Sequence, residues 1–216
     1  MRLLVLVALA ALSISASAES QPLVQVEYSN PGLVPAHWTL EINPSGSAHF
    51  RSQRGNAVRS DTQIIEAPDV DRDFQLSAKF AERVFQIAHR KKLFHVDCES
   101  HLKVAFQGTK TLTYSGPDGE GSCAFNYSRD GEIQTLGDDL VSVANTIIEG
   151  ARLQSLLLHD RLGLDRETEV LTESAADGRA QQIGSIRDIL ERLAEDDSVL
   201  ERVRRRARAL LDRASN

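Results

Sequence analysis

The residues best suited to chemistry in this chain lie between His95 and Cys123. His95, Cys98 and His101 follow one another at three-residue spacing, and Cys123 is the only other cysteine. Two thiolates and two imidazoles form a ligand set that zinc accepts, so one interpretation is a metal-binding protein. The alternative is a disulfide between Cys98 and Cys123, with the two histidines on the nearby surface. We favour the disulfide and expect no metal or cofactor, because the spacing matches no established zinc pattern.

The first 18 residues have the pattern of a signal peptide. Arg2 supplies a positive charge, residues 3–12 form an apolar run, and Ala16-Ser17-Ala18 gives a small-residue cleavage pattern. The apolar run is shorter than the roughly 20 residues that a membrane span needs. We therefore expect an exported protein, periplasmic or secreted, with no membrane span in the mature chain. An oxidising compartment also favours the disulfide.

Other clusters of polar residues have simpler interpretations. Asp69, Asp71 and Asp73 alternate as calcium ligands can, but the glycine and the terminal glutamate of an EF-hand loop are missing. A solvated loop before a helix is the favoured interpretation. His37 and His49 flank Trp38 on one predicted hairpin, and alternation places both histidines on its solvent face.

The chain contains no recognisable catalytic motif. It lacks a Gly-x-Ser-x-Gly elbow, a phosphate loop and a His-Glu-x-x-His pair. This favours a non-catalytic protein over an enzyme. A hydrolase with dispersed residues, using His95 or His101, is the alternative, since a catalytic triad can be assembled from distant positions.

The charge balance argues against nucleic acid as a partner. The chain has 25 Lys and Arg against 31 Asp and Glu, a net charge of −6, whereas nucleic-acid binding needs a basic surface. The last predicted helix is nevertheless rich in arginine. We expect these arginines to pair with the acidic residues of the preceding segment, chiefly Glu191, Glu195, Asp196, Asp197 and Glu201.

Hydrophobic periodicity predicts an α+β fold. Alternating residues predict strands, and a spacing of three or four predicts helices. A Gly-Pro-Asp-Gly turn joins the last two strands of a meander that the two cysteines bracket. The predicted strands cover residues 23–28, 38–43, 47–51, 102–106, 110–114 and 122–127, with a possible short strand at 63–66; the predicted helices cover residues 77–92 and 132–159.

The hairpin at residues 38–52 carries a resemblance to known proteins. Its run Trp-Thr-Leu-x-Ile-x-Pro-x-Gly, followed by Phe50-Arg51-Ser52, resembles hairpins in secreted bacterial proteins of unknown function. The resemblance implies a secreted α+β domain and no particular activity.

Composition changes after residue 160. Aromatic residues disappear, and two apolar seams predict a helical hairpin, with a capping box at Ser198 and Glu201. We therefore expect a signal peptide (1–18), an α+β domain (19–160) and a C-terminal helical hairpin as an appendage (161–216). Its function would be non-catalytic binding of a protein or a small extracellular ligand. The working surface would be the hairpin or the outer sheet face, at Thr39, Glu41, Thr111 and Thr113.

Overall fold

A six-stranded antiparallel sheet with helices on one face forms the body of the protein. The computed structural model describes residues 21–53 and 68–214. The strand order is β4-β3-β2-β1-β5-β6, and the fold is α+β, as predicted. The strands are β1 (Leu23–Ser29), β2 (His37–Ile42), β3 (Ser47–Gln53), β4 (Val70–Gln75), β5 (Thr109–Gly116) and β6 (Gly119–Phe125).

Alternation along the strands separates the two faces of the sheet. In β1, Val24 and Val26 are fully buried, whereas Glu27 is exposed. The register continues this pattern across the sheet, since Val26 lies opposite Leu40 on one side and Leu112 on the other. Burying these apolar side chains on one face fixes the register, because a one-residue slip would move every one of them to the solvent face.

Within the described residues, five α-helices follow or interrupt the strands. Ser77 caps α1 by accepting a hydrogen bond from the Phe80 backbone, and Asp130 caps α2 in the same way. These two helices cover the apolar sheet face, as the periodicity predicts. The helices are α1 (Ala78–Arg90), α2 (Gly131–His159), α3 (Leu164–Asp177), α4 (Arg187–Glu195) and α5 (Glu201–Ala214), with short 3-10 turns at Lys92–Phe94 and Ile183–Ile186.

The C-terminal helices share the core of the sheet. Ile186, Leu190 and Val203 are fully buried and belong to the same continuous cluster as Val24 and Phe50. The predicted helical hairpin is present as α4 and α5. The sequence did not predict α3, which begins at Leu164, directly after Gly163.

The strand predicted at residues 102–106 does not form. Both edges of β5 are already occupied, by β1 and by β6, so the predicted neighbour has no place beside it. The segment is an exposed loop whose backbone is held by side chains: Asn126 Oδ1 accepts from the Gln107 amide at 2.7 Å. The alternating Leu102, Val104 and Phe106 are all exposed.

The region before α1 also differs from its prediction. Asp71 and Asp73 belong to the edge strand β4, whereas the sequence suggested a loop. Their exposed carboxylates alternate with the half-buried Arg72, so the strand shows little apolar periodicity. The possible strand at 63–66 and the signal peptide lie outside the described residues. Across the residues that are described, no helix combines the length and apolar character needed to cross a membrane.

Candidate functional site

Cys98 and Cys123 are joined in a disulfide, with 5.7 Å between their Cα atoms. The bond fastens the segment after α1 to β6, the edge strand of the sheet. Both sulfurs are therefore bonded to each other rather than free to act as thiolate ligands. Within residues 21–53 and 68–214, no group of three or more His, Cys, Asp or Glu could hold a metal ion.

His95 and His101, which the sequence offered as metal ligands or catalytic residues, are both exposed. The Nε2 of His101 lies 2.9 Å from an Asp97 oxygen, four residues earlier in the same loop. This contact raises the pKa of His101 and lowers the pKa of Asp97. The pair is a surface ion pair, and exposed pairs of this kind contribute little to stability.

The acidic residues and the hairpin histidines meet on the outer face of the sheet. His49 lies between two β4 carboxylates, 3.2 Å from Asp71 and 2.7 Å from Asp73. His37 lies 2.8 Å from Glu27. The solvent-facing position predicted for both histidines is therefore observed, and each imidazole contacts a carboxylate of a neighbouring strand.

The outer sheet face predicted as a working surface is continuous and polar. Thr39 lies beside Glu27 in the register, and Glu27 lies beside Thr111. Glu41 and Thr113 occupy the next row in the same way, on either side of Gln25. The four residues are partly exposed, and the role of this face in binding stays a prediction.

The arginines of α5 form salt bridges with α3 as well as with the preceding acidic segment that the sequence suggested. Arg204 pairs with Asp197, and Arg208 lies 3.2 Å from Glu201. Arg202 and Arg206 instead contact Asp165 of α3, at 2.6 and 2.7 Å. Most of the basic charge of α5 is thus neutralised within the protein.

A large cleft lies where the start of α1 meets the C-terminal helices. We call it the basic cleft. Its volume is about 870 Å³, within the range of small-molecule sites. One wall is the end of β4 and the start of α1, residues 75–79. The opposite wall is the segment 180–187 with the end of α5, including Arg213.

The cleft concentrates positive charge in an acidic protein. Lys79, Arg187 and Arg213 line it, and its described lining residues include no carboxylate. Arg187 lies 3.6 Å from Glu191 on its own helix. Within residues 21–53 and 68–214, no carboxylate lies within salt-bridge distance of Lys79 or Arg213. These two cations therefore line the cleft without a carboxylate partner in that part of the chain.

Two further features make the cleft suitable for an anion. The first turn of α1 opens onto it and contains no acidic residue, so the positive end of the helix dipole is not neutralised locally. Ser185 also lines the cleft, and its hydroxyl is buried without a hydrogen-bond partner among the described residues. A buried hydroxyl without a partner costs free energy that a bound acceptor would recover.

Hydrogen bonds hold the two walls of the cleft together. The Ser77 amide donates to Gln182 Oε1 at 2.9 Å. The Thr146 hydroxyl of α2 donates to the Gln181 carbonyl at 2.7 Å. Arg72 of β4 donates to the Ser185 carbonyl at 3.2 Å. The cleft is therefore part of the folded body and not a gap between loose segments.

Sequence reasoning missed this cleft because its cations lie far apart in the chain. Lys79, Arg187 and Arg213 share no motif, and only the docking of the C-terminal helices brings them together. One local signal existed. Helices usually carry acidic residues in their first turn, whereas α1 begins Ala-Lys-Phe.

Comparison with known proteins adds no further assignment. No family model matches the chain, and no curated protein matches it. The described residues form an α+β fold with a disulfide-fastened edge strand and a basic cleft.

Proposed function

We propose that this protein is an exported, non-catalytic binding module that takes a small anionic ligand in the basic cleft. The observation that carries the proposal is the convergence of Lys79, Arg187 and Arg213 on one cavity whose described lining has no acidic residue. The ligand class follows from the chemistry of the lining. Ammonium, guanidinium, hydroxyl and amide donors together recognise a carboxylate, sulfate or phosphate group.

Binding without catalysis is supported by the composition of the cleft. Its described lining offers donors and cations, but no histidine, cysteine or carboxylate to act as a base or nucleophile. The volume exceeds what one inorganic anion needs, and Leu76, Ile183 and several alanines supply apolar surface. The ligand would therefore carry an anionic group on a small organic body.

Export is supported by two observations together. The N-terminal 18 residues have the signal-peptide pattern, and the only two cysteines are joined in a disulfide, a bond that persists in oxidising compartments. Fractionation of the producing cells tests this part directly. Recovery of the protein in the cytoplasm with Met1 retained would overturn it.

The binding proposal is tested by calorimetric titration with sulfate, phosphate and citrate. Lys79→Gln and Arg213→Gln should each weaken binding by about tenfold or more, because a charge-assisted hydrogen bond contributes about 1.5–3 kcal/mol. Arg205→Gln is the matched control, since Arg205 is exposed on the same helix and does not line the cleft. It should bind like the wild type.

Two results would overturn the binding proposal. One is the absence of heat with all three anions at low ionic strength. The other is an equal loss of affinity in Arg205→Gln and Arg213→Gln, which would indicate diffuse attraction to α5. The three probes also separate ligand types, because preference for citrate indicates a carboxylate ligand and preference for phosphate or sulfate indicates a tetrahedral one.

A further inference from the structure

A buried cluster of three charged side chains joins α2 to α3. Glu149 and Arg152 lie one turn apart on α2, and their Oε1 and Nη1 atoms are 2.8 Å apart. The same nitrogen lies 3.8 Å from Oε1 of Glu167 on α3. The three side chains are only 15%, 20% and 10% exposed, in that order. One guanidinium therefore faces two carboxyl groups that are largely removed from water.

The charges of this cluster balance when the carboxyl groups of Glu149 and Glu167 share one proton. Two ionised carboxyl groups beside one cation repel each other strongly in a poorly hydrated site. Burial first, and then the hydrogen bond with Glu167, raise the pKa of Glu149 to about 8. Oε2 of Glu149 and Oε1 of Glu167 are both buried and lack a hydrogen-bond donor among the described residues. A proton on Glu149 that is donated to Glu167 satisfies this pair and leaves the cluster neutral.

The surroundings of Glu149 contain few other titratable groups. Glu149 and Arg152 lie at one end of a cavity of about 180 Å³, beneath the turn that joins β1 to β2. The titratable and charged groups that face Glu149 are Arg152 on its own helix and Glu167 on α3; Tyr28 of β1 lines the same cavity, and its hydroxyl donates to the Gln107 carbonyl. Trp38, the only tryptophan in the chain, lines the same cavity and is almost fully buried.

Helix α3 connects this cluster to the basic cleft. Its Asp165 holds Arg202 and Arg206 of α5, and α5 carries Arg213 into the cleft. The carbonyl of Ser174, near the end of α3, accepts a 3.0 Å hydrogen bond from the amide of Ala180, a cleft residue. A displacement of α3 would therefore move residues on the cleft wall.

We propose that the proton shared by Glu149 and Glu167 holds α3 against α2 and so keeps the basic cleft in its anion-binding form. This inference rests on the proposed function, because it assigns a regulation to that same cleft. When the proton leaves, two carboxylates face Arg152 alone and repulsion favours separation of α3 from α2. Anion affinity should therefore fall as the pH rises through about 8.

Two measurements on the full chain test the proposal. Sulfate is the probe, since it stays a dianion between pH 6 and 9, so any change in its affinity belongs to the protein. In the wild type, Trp38 emission should titrate with a midpoint near pH 8, and sulfate affinity should fall at least fivefold from pH 6 to 9. Glu149→Gln keeps a neutral hydrogen-bond donor and should show neither change. Glu167→Gln, a second variant, should also flatten both profiles.

The outcomes separate this proposal from the one on which it rests. No binding of sulfate, phosphate or citrate at pH 6 would overturn the proposed function and the regulation with it. Equal affinity at pH 6 and 9 in the wild type would overturn the regulation alone. So would a pH-dependent loss of affinity that persists in both glutamine variants. A Trp38 emission that does not titrate in the wild type would overturn the shared proton itself.

Discussion

Reducing the Cys98–Cys123 disulfide should lower the stability of the protein by an amount that the loop length sets. The bond closes a loop with a sequence separation of 25 residues. For a loop of that length, the chain-entropy relation gives about 3.5 kcal/mol at 25 °C. With a urea dependence of about 2 kcal/mol per molar, typical of small proteins, the unfolding midpoint should fall by about 1.7 M.

The assay compares urea unfolding, followed by far-UV circular dichroism, with and without a reductant. Both sulfurs are buried, so the reduced samples should be unfolded in reductant and then refolded. Cys98→Ala/Cys123→Ala is the matched control, because it lacks the bond and should not respond to reductant. The variant should be at least as unstable as the reduced wild type, since it also loses two buried sulfurs.

The result that would refute this reasoning is a reduced wild type whose midpoint lies within 0.3 M, as an order of magnitude, of the oxidised one. The unfolded chain would then already hold the two cysteines close together. A local effect should accompany the global one. Hydrogen exchange at β6 should quicken on reduction, because the segment fastened by the disulfide covers this edge strand. The Ser100 amide, for instance, donates to the Tyr127 carbonyl just beyond β6 at 2.8 Å.

Three further predictions concern packing and protonation. Gly121→Ala should destabilise the fold by at least about 2 kcal/mol in urea titration, because a Cβ there would lie 2.3 Å from the carbonyl oxygen of Leu93. Leu190→Ala should lower the free energy of unfolding by about 2–5 kcal/mol, since this side chain of α4 is fully buried. Phe106→Ala, on the exposed loop, should change it by less than about 0.5 kcal/mol. Equal effects of the two substitutions would contradict the observed burial. Folding raises the pKa of the Glu149 carboxyl from 4.5 to about 8, so its contribution to the free energy of unfolding is fully present below pH 4.5 and is lost as the pH rises through about 8. The wild type should therefore lose stability over this pH range relative to Glu149→Gln. Parallel stability profiles of the two proteins would refute the raised pKa.

The sheet could be predicted where one of its faces is buried. Val24, Val26 and Leu40 alternate with polar residues, and the same alternation is seen in the burial of β1 and β2. The signal fails for β4, whose exposed carboxylates give it the composition of a loop. The alternating pattern gives a wrong prediction at residues 102–106, because alternation indicates an extended backbone but does not identify a strand to pair with. Whether such a segment becomes a strand depends on a free sheet edge, and that is a property of the whole topology.

The buried cluster of Glu149, Arg152 and Glu167 could not be predicted from the sequence. Glu149 directly follows Ile147 and Ile148, two buried residues of α2. Its partner Glu167 lies on α3, a helix whose residues are mostly polar and whose hydrophobic periodicity is weak. A carboxyl group acquires a raised pKa from neighbours brought by tertiary packing. Sequence reasoning therefore did not single out Glu149.

The arginine-rich last helix shows how a charge run can mislead when it is considered alone. Arg202 and Arg206 form salt bridges with Asp165 of α3, and Arg204 forms one with Asp197. A strip of neutralised arginines offers little attraction to a polyanion. The arginine of this helix that we propose for ligand binding is Arg213, at the end of the run, because the fold brings it beside the acid-free start of α1. Position relative to a distant helix end, rather than the local density of basic residues, decides where this protein would hold an anion.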